Sequence, residues 1–385
     1  MGSTDVLVIG GGAIGLAVAW RSAQAGLDVV LCERDELGSG ASHVAAGMLG
    51  PIAEAGFGQA AGRLLELGLE SAALWPEFAR ELASASGTES RLRSDGTLIV
   101  ARDAGEAAGL ERELAFRAEL GLDVVRLRPT EARRLEPGLA PTIRLAGLVP
   151  TEQTVDPRWL VDALARAARA AGADLREHTP VDRLLGESPT DDAPAATRLA
   201  GGTPPEKHRQ PITGALLRSR ESIHARSVVL AAGAWSGELA DIAVRPVKGQ
   251  IMRLRDPRGP GLLERVIRFD GGYLVPRGDG RYVLGATVEE RGFDLTVTAG
   301  GLHQLLRDAS ELVPGVLELE VTGLTAGLRP GTPDNLPLIG RDPLTGLVRA
   351  TGHHRNGILL APITAALVMR ELVGSQAAGD EALVR

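Results

Sequence analysis

Three groups of residues in this chain have types and spacings suited to chemistry. Gly10, Gly12 and Gly15 in DVLVIGGGAIG (5–15) fit G-x-G-x-x-G, and Glu33 closes the next apolar run. Gly10 permits a tight turn, Gly12 lets the backbone approach a diphosphate, and Gly15 lets a helix pack close to a strand. The free N–H groups and positive dipole end of that helix suit a phosphate. A carboxylate at Glu33 can accept from the hydroxyls of an adenosine ribose. A glycine-rich turn without cofactor and a plain surface carboxylate are the alternatives. The second group is GHHRNGILLAP (352–362), polar and charged residues just before a C-terminal helix. Amides and a helix dipole there would meet the edge of a redox ring on which negative charge gathers. The third pairs Arg329 in GLRPGT with Tyr273 in GGYLVP. Guanidinium matches a carboxylate through two parallel hydrogen bonds, and a phenol can donate one more. An ordinary surface arginine and a core tyrosine are the alternatives.

These groups need elements to hold them. An apolar strand at 5–10, a helix at 13–25 ending at Gly26 and a strand at 28–33 make a βαβ start of dinucleotide type. A helical pattern at 62–85 runs through Pro76, which predicts a kink or a split. Short strands at 97–102 and 123–128 flank a helix near 104–120. Asp156-Pro157 opens a helix, Asp as cap and Pro in the first turn, that runs to Ala171 and stops at Gly172. Strands follow at 213–217, 223–225 and 227–232, the last ending in Gly233. Alternation predicts a strand at 247–255, and the runs 272–276 and 281–288, joined by RGDG, a hairpin. A helix fits 299–312, a strand 319–328 and the last helix 359–372. Residues 186–211, rich in Pro, Gly, Ala and charge, predict an exposed excursion.

Bulk properties narrow the class. A chain of 385 residues exceeds one compact core, so two interwoven or consecutive domains are expected. A net charge of −7 argues against nucleic acid and against an anionic membrane surface. No apolar run reaches the roughly 18–20 residues of a spanning helix, and the N-terminus lacks a signal-peptide pattern. The one cysteine, Cys32, cannot form an internal disulfide, which fits a reducing cytoplasm. His353 and His354 are adjacent and point to opposite sides, with no ligand cluster around them, so no metal is expected. Lys248 in PVKGQ is expected to form a structural ion pair where the chain crosses between domains.

The segment after Glu33 separates two cofactors. The run GSGASHVAAGML (38–49) carries Ser42 and Met48 among small residues that let backbone lie against a large flat ligand. A nicotinamide dehydrogenase would not need this second contact, though it remains the rival dinucleotide reading. The chain here resembles the D-amino-acid oxidase superfamily of FAD enzymes, within it the glycine oxidase branch of the thiamine pathway. The resemblance rests on eight blocks in order: VIGGGAIG, SHVAAGMLGP, DGTLIV, VVLAAGAWS, PVKGQ, GYLVPR, GLRPGTPDNLPLIG and GHHRNGILLAP.

That resemblance implies an α/β fold of two parts. A Rossmann-like FAD-binding domain, a parallel sheet with helices and a β-meander, would take residues 1–85, 150–245 and 325–385. An α+β substrate domain with a large, mostly antiparallel sheet would take 86–149 and 246–324. FAD contacts are implied at Ala13, Ile14, Glu33, Arg34, Ala41, Ser42, Ala46, Gly47 and Met48. A backbone contact to adenine is implied at Val181, on the strand after the Asp156 helix. Gly233 would allow close approach, and His353, His354, Arg355, Asn356, Gly357, Ile358 and Leu359 would hold the flavin. Arg329, Tyr273, Arg355 and Met48 would face the substrate. Neither histidine is expected to act as a general base. Cys32 lies in a predicted buried strand, so the FAD is expected to be non-covalent.

The implied activity is oxidative deamination of glycine and other small amino acids or amines, sarcosine and small D-amino acids among them, with oxygen as acceptor. A thiazole synthase would be the consumer of the imine. Rival readings are a D-amino-acid dehydrogenase passing electrons to a quinone or carrier, and a flavin-binding protein without turnover. The sequence is compatible with a homo-oligomer and does not set its size. Gly271 and Val288 depart from the family pattern, where histidine and methionine are usual, and are expected to enlarge or repack the substrate pocket.

Overall fold

The structure, a computed structural model, describes residues 3–56, 58–186 and 211–382. Of the expected excursion, residues 187–210 lie outside the described residues. The short run VVLC (Val29–Cys32) is buried throughout, as is most of Thr4–Ile9. Strands covered on both faces read as continuous apolar runs and pair in parallel. Thr4–Ile9 accordingly lies between Val29–Cys32 and Ser222–Leu230, parallel to both. Asp174–Arg176 extends the sheet beside Val29–Cys32, and Leu347–Thr351 pairs in parallel with Ser222–Leu230. An antiparallel meander, Val181–Leu185, Gly214–Leu217 and Ser222–Leu230, joins it, and Leu338–Arg341 runs antiparallel to Leu347–Thr351.

Helices Ala13–Gln24, Pro157–Ala170 and Ala361–Ala382 cover one face of this sheet around Leu16, Trp20, Leu160, Leu164 and Leu360. The Asp156 side chain caps the second of these through the Arg158 N–H, as expected from its type and place. The last helix starts at Ala361, two residues later than the sequence suggests, because residues 356–360 form a turn whose Asn356 carbonyl accepts from Leu360 N.

A second sheet of eight strands supplies the other wall of the molecule. Its order is Glu320–Gly331, Arg245–Arg255, Arg281–Gly285, Gly272–Pro276, Val266–Phe269, Thr97–Ala101, Leu145–Val149 and Val125–Leu127. Neighbours are antiparallel except Val266–Phe269 and Thr97–Ala101. One face packs under helix Ala299–Leu312 through Leu98, Met252, Leu274 and Leu284. The other presents Ile251, Tyr273 and Val275 toward Ala46, with Val44 and Met48 packed beside them. A small sheet of Met48–Leu49, Leu92–Arg93 and Gln153–Val155 ties the two large ones together.

Three local expectations change. Helix Gln59–Ser86 continues unbroken through Pro76. Trp75, Phe78, Ala79 and Leu82 bury one stripe across that point, and Pro76 is on the exposed side, so packing carries the helix past the proline without a split. The runs 223–225 and 227–232 are one strand, Ser222–Leu230, since its second half is hydrogen-bonded on both sides. Val181 sits on the second strand after the Asp156 helix, with Asp174–Arg176 intervening.

Helix Gln59–Ser86 reaches the C-terminal motif directly. Trp75 Nε1 and Ser71 Oγ both donate to the Leu359 carbonyl, at 2.8 and 2.6 Å, and Trp75 meets Phe78 edge to face. Replacing Trp75 by Ala therefore removes a fully buried ring and one anchor of the 353–359 turn. We expect the Trp75→Ala variant to lose about 3–5 kcal/mol of stability, read as a lowered urea midpoint, together with weaker retention of the bound cofactor on gel filtration.

Candidate active site

A cavity runs between the two sheets, from the tip of Thr4–Ile9 to Tyr273 and the 327–330 end of Glu320–Gly331. At its first end the glycine turn behaves as its sequence demands. Gly10 has φ 109°, and a Cβ there would lie 2.4 Å from the Ala231 carbonyl oxygen. A Cβ on Gly15 would lie 1.9 Å from the Gly10 oxygen, so Gly15 seats the helix on the strand and does not itself line the cavity. Gly10, Gly12, Ala13 and Ile14 do line it.

Helix Ala13–Gln24 has no side-chain cap at Gly12 and no acidic residue in its first turn. Ser42 Oγ accepts from Ala13 N at 3.0 Å and keeps its own O–H free to donate. Among the described residues, the Gly12 and Ile14 amides donate to nothing, which leaves an open anion cradle at the helix start. Glu33 has one oxygen on Gly11 N at 2.7 Å and the other on Asp35 N at 3.0 Å. The carboxylate thus holds the glycine turn while keeping lone pairs for ribose hydroxyls. Val181 and Gly233 line the same end, and Arg34 lies 3.7 Å over the Trp235 ring, whose other neighbour is a stacked Phe293. Cys32 is buried, and burial pushes its thiol up to about 12, so it carries no thiolate to attach a cofactor.

The middle of the cavity is walled by residues 41–55, a stretch with little regular structure. Ala41, Ser42, Ala46, Gly47 and Met48 all line it, as the sequence implies. Gly47 has φ 73° and a Cβ there would collide with the Val155 oxygen at 2.0 Å. Charged side chains from far along the chain satisfy the backbone of this stretch. Arg277 donates to the Ala46 carbonyl at 2.7 Å and to Val155, and Arg253 donates to His43. Arg117, buried, donates to the carbonyls of Ile52 and Ala53 at 2.8 and 2.9 Å. Glu152 accepts from Ala53 N at 2.6 Å.

At the far end Arg329 Nη1 donates to the Thr287 and Lys248 carbonyls at 3.1 and 3.3 Å. A Cβ on Gly249 would lie 2.3 Å from its Nη2, so only glycine there leaves the guanidinium room. The Tyr273 hydroxyl accepts from Arg329, and burial pushes the phenol up, keeping it protonated and able to donate. Arg355 reaches Glu54 at 3.4 Å. His353 is buried with Nε2 2.9 Å from Thr364 Oγ1, and burial lowers it to about 3. His354 falls to about 4 through burial and then the nearby Arg329 and Arg355. Both imidazoles are neutral at physiological pH and neither reaches the imidazolium form there. The amides of Gly357 and Ile358 donate to nothing among the described residues and line the cavity with Asn356, a donor set suited to an anionic ring edge. Leu359 is the exception: its side chain faces the core and its carbonyl is taken by Ser71 and Trp75.

Two positions that depart from the family pattern on the substrate side do not themselves line the cavity. Gly271 and Val288 are absent from the lining; Val288 is 62% exposed, and the nearest neighbour to a Cβ on Gly271 would be Asp308. Gly271 precedes the strand Gly272–Pro276 and Val288 lies beyond Arg281–Gly285. Lys248 is fully buried and pairs with Asp294 at 2.7 Å, the structural role expected. The sequence reading missed Glu54, Thr97, Glu152 and Arg268, all lining the substrate end. The only signal was Glu152, a lone carboxylate between the apolar strands Leu145–Val149 and Gln153–Val155.

Burial raises Glu152 from 4.5 to about 7, against the lowering pull of Ala53 N and the Thr97 hydroxyl. The folded chain therefore binds a proton there that the unfolded chain has lost across that window. Stability from this group falls as pH rises from about 4.5 to 7, by up to roughly 3 kcal/mol. We expect Glu152→Gln to flatten that fall, so that its urea midpoint exceeds the parent's at pH 8 and not at pH 4.5.

Comparison with known proteins agrees with this geometry. Residues 5–371 match the family described as FAD dependent oxidoreductase, DAO. A glycine oxidase of Geobacillus kaustophilus is 37% identical over 372 residues, 94% of this chain and 91% of that one. A bifunctional protein ThiO/ThiG of Synechocystis is 36% identical, the match covering 95% of this chain and 51% of the longer protein. The crystal structure of glycine oxidase from Geobacillus kaustophilus superposes with a TM-score of 0.85 at 35% identity, over 97% of this chain and 95% of that one. With its uncapped helix at a glycine turn and its amide-lined C-terminal loop on one cavity, the chain belongs to the DAO family of FAD-dependent oxidoreductases.

Proposed function

We propose that this enzyme oxidises glycine and other small amino acids or amines, sarcosine and small D-amino acids among them. The observation that carries the reading is Arg329, held against Tyr273 in the same cavity as the dinucleotide cradle. Bound FAD supplies the acceptor for a hydride leaving Cα of the amine, and oxygen takes the electrons onward as hydrogen peroxide.

The chain's own residues do the rest. Gly12, Ile14 and Ser42 hold the diphosphate, and Glu33 the ribose. Gly357 and Ile358 donate toward the ring edge that gains charge on reduction. Arg329 and Tyr273 clamp the substrate carboxylate, Arg355 orients it, and Met48 packs against the reacting end. Because the Cα hydrogen leaves as hydride, no side chain is asked to remove it as a proton; the amine sheds its own proton to solvent. The imine product hydrolyses to a 2-oxo acid and ammonia, or to the primary amine where the substrate is a secondary amine such as sarcosine.

The segments that build each sheet support a cofactor domain from residues 1–85, 150–245 and 325–385 and a substrate domain from 86–149 and 246–324. The strand Glu320–Gly331 carries the second sheet a few residues past 325. A thiazole synthase as consumer of the imine is supported by relatives that join a ThiO half to a ThiG half. No helix among the described residues is long and apolar enough to cross a membrane. We assign the cytoplasm on the strength of the single, buried, unpaired thiol.

The test is flavin reduction without oxygen, screened over glycine, sarcosine, D-alanine and D-proline. Arg329→Ala should keep the yellow cofactor and lose about 2–4 kcal/mol of transition-state binding, roughly 30- to 1000-fold in kcat/KM. Unchanged reduction by glycine would remove Arg329 from the site. In air and without added acceptor, peroxide formed mole for mole with glycine consumed is expected; its absence would instead favour a carrier-linked dehydrogenase.

A further inference from the structure

Arg268 has no task in the scheme above, although its side chain lines the substrate end of the cavity. It stands on Val266–Phe269 directly opposite Tyr273 in the antiparallel register, and both residues face the cavity. Directly opposed residues of such a pair have Cβ atoms roughly 5 Å apart. Arg268 therefore flanks Tyr273 on one side, and Gly285 and Ile251 lie on the other.

The neighbouring cavity arginines are engaged. Arg329 binds two carbonyls and Tyr273, and Arg355 pairs with Glu54. Among the described residues the Arg268 side chain makes no hydrogen bond and no ion pair within 4 Å, and it attracts Glu152 from further off. Glu152 does not pair with it directly. One Glu152 oxygen accepts from Ala53 N, the Thr97 hydroxyl also bonds this carboxyl, and burial raises it to about 7. A half-buried guanidinium beside a carboxylate clamp, with no anion in direct contact, is placed to take one from a ligand.

We propose that Arg268 forms a second anion subsite, and that the enzyme binds small amino acids or secondary amines carrying a second carboxylate. The first carboxylate rests on Arg329 and Tyr273, and the second passes Tyr273 to meet Arg268. This rests on the functional reading above for the first carboxylate. The second acid takes no part in the electron balance; it adds binding and selects the substrate.

The test uses the FAD-loaded enzyme and pairs each acid with its neutral amide: iminodiacetate against its monoamide, and D-aspartate against D-asparagine. We expect kcat/KM to favour an acid over its amide at least tenfold in the parent, and that preference to vanish in Arg268→Gln. Because Arg268→Gln changes a cavity side chain, glutarate and butyrate titrations of the flavin spectrum read binding without turnover. Glutarate should bind at least tenfold more tightly than butyrate, and Arg268→Gln should erase the difference. No preference for the second carboxylate in the parent, or an equal preference in the variant, overturns the subsite. If no amine, neither glycine, sarcosine, iminodiacetate nor D-aspartate, reduces the flavin while glutarate still discriminates parent from variant, the amine oxidase reading fails and the subsite stands.

Discussion

Everything in this protein's site depends on the backbone of residues 41–55 being satisfied by side chains from elsewhere. This stretch lies between two sheets, runs from the diphosphate cradle to the substrate end, and has only two short elements of its own. A buried backbone without a ladder must find donors and acceptors or lose several kcal/mol. It finds them in Arg253, Arg277, Arg117 and Glu152, which serve His43, Ala46, Ile52 and Ala53. Charged side chains suit the task because one guanidinium can reach two carbonyls at once. The cost is visible in their own equilibria: burial lowers Arg253 and Arg277 to about 10 and raises Glu152 to about 7.

That constraint gives the cavity its chemistry. The walls need small residues where backbone faces the cofactor, and Gly47 occupies a conformation and a gap that no larger residue could. Donors cluster where anions are to lie: open amides at the two ends, and guanidinium groups in the substrate half. The neutral histidines fit this scheme, since His353 contributes a hydrogen bond to Thr364 and His354 its amide to Pro330. Folding and cofactor retention are joined at Leu359, whose carbonyl is the meeting point of the long N-terminal helix and the ring-binding turn.

Much of this was legible in the residues. The βαβ start, the Asp156 cap, the 272–285 hairpin and the last helix all follow from local patterns, because their hydrogen bonds and apolar stripes repeat over a few residues. The glycine turn, Glu33 and the C-terminal motif were legible for the same reason, each being a short string with a fixed physical task. Pro76 misled because a local penalty was outweighed by the Trp75–Leu82 stripe, a tertiary effect. Gly271 and Val288 stand outside the strands Gly272–Pro276 and Arg281–Gly285, so the alternation that places Tyr273 does not say which way their positions look.

The sequence by itself determined that two glycine-bearing ends grip one dinucleotide and that Arg329 and Tyr273 are suited to a carboxylate. The glycine turn follows from residue types and spacing; the pairing of Arg329 with Tyr273 and the role of the C-terminal end follow from the family resemblance. Tertiary structure alone decided which distant charges join them. Arg117, Glu152, Arg268 and Arg277 belong to no motif, and their neighbours in space are set by sheet register and by crossings between segments far apart in the chain. A lone charged residue looks the same in sequence whether it is solvated or buried against a carbonyl; only burial and geometry separate the two.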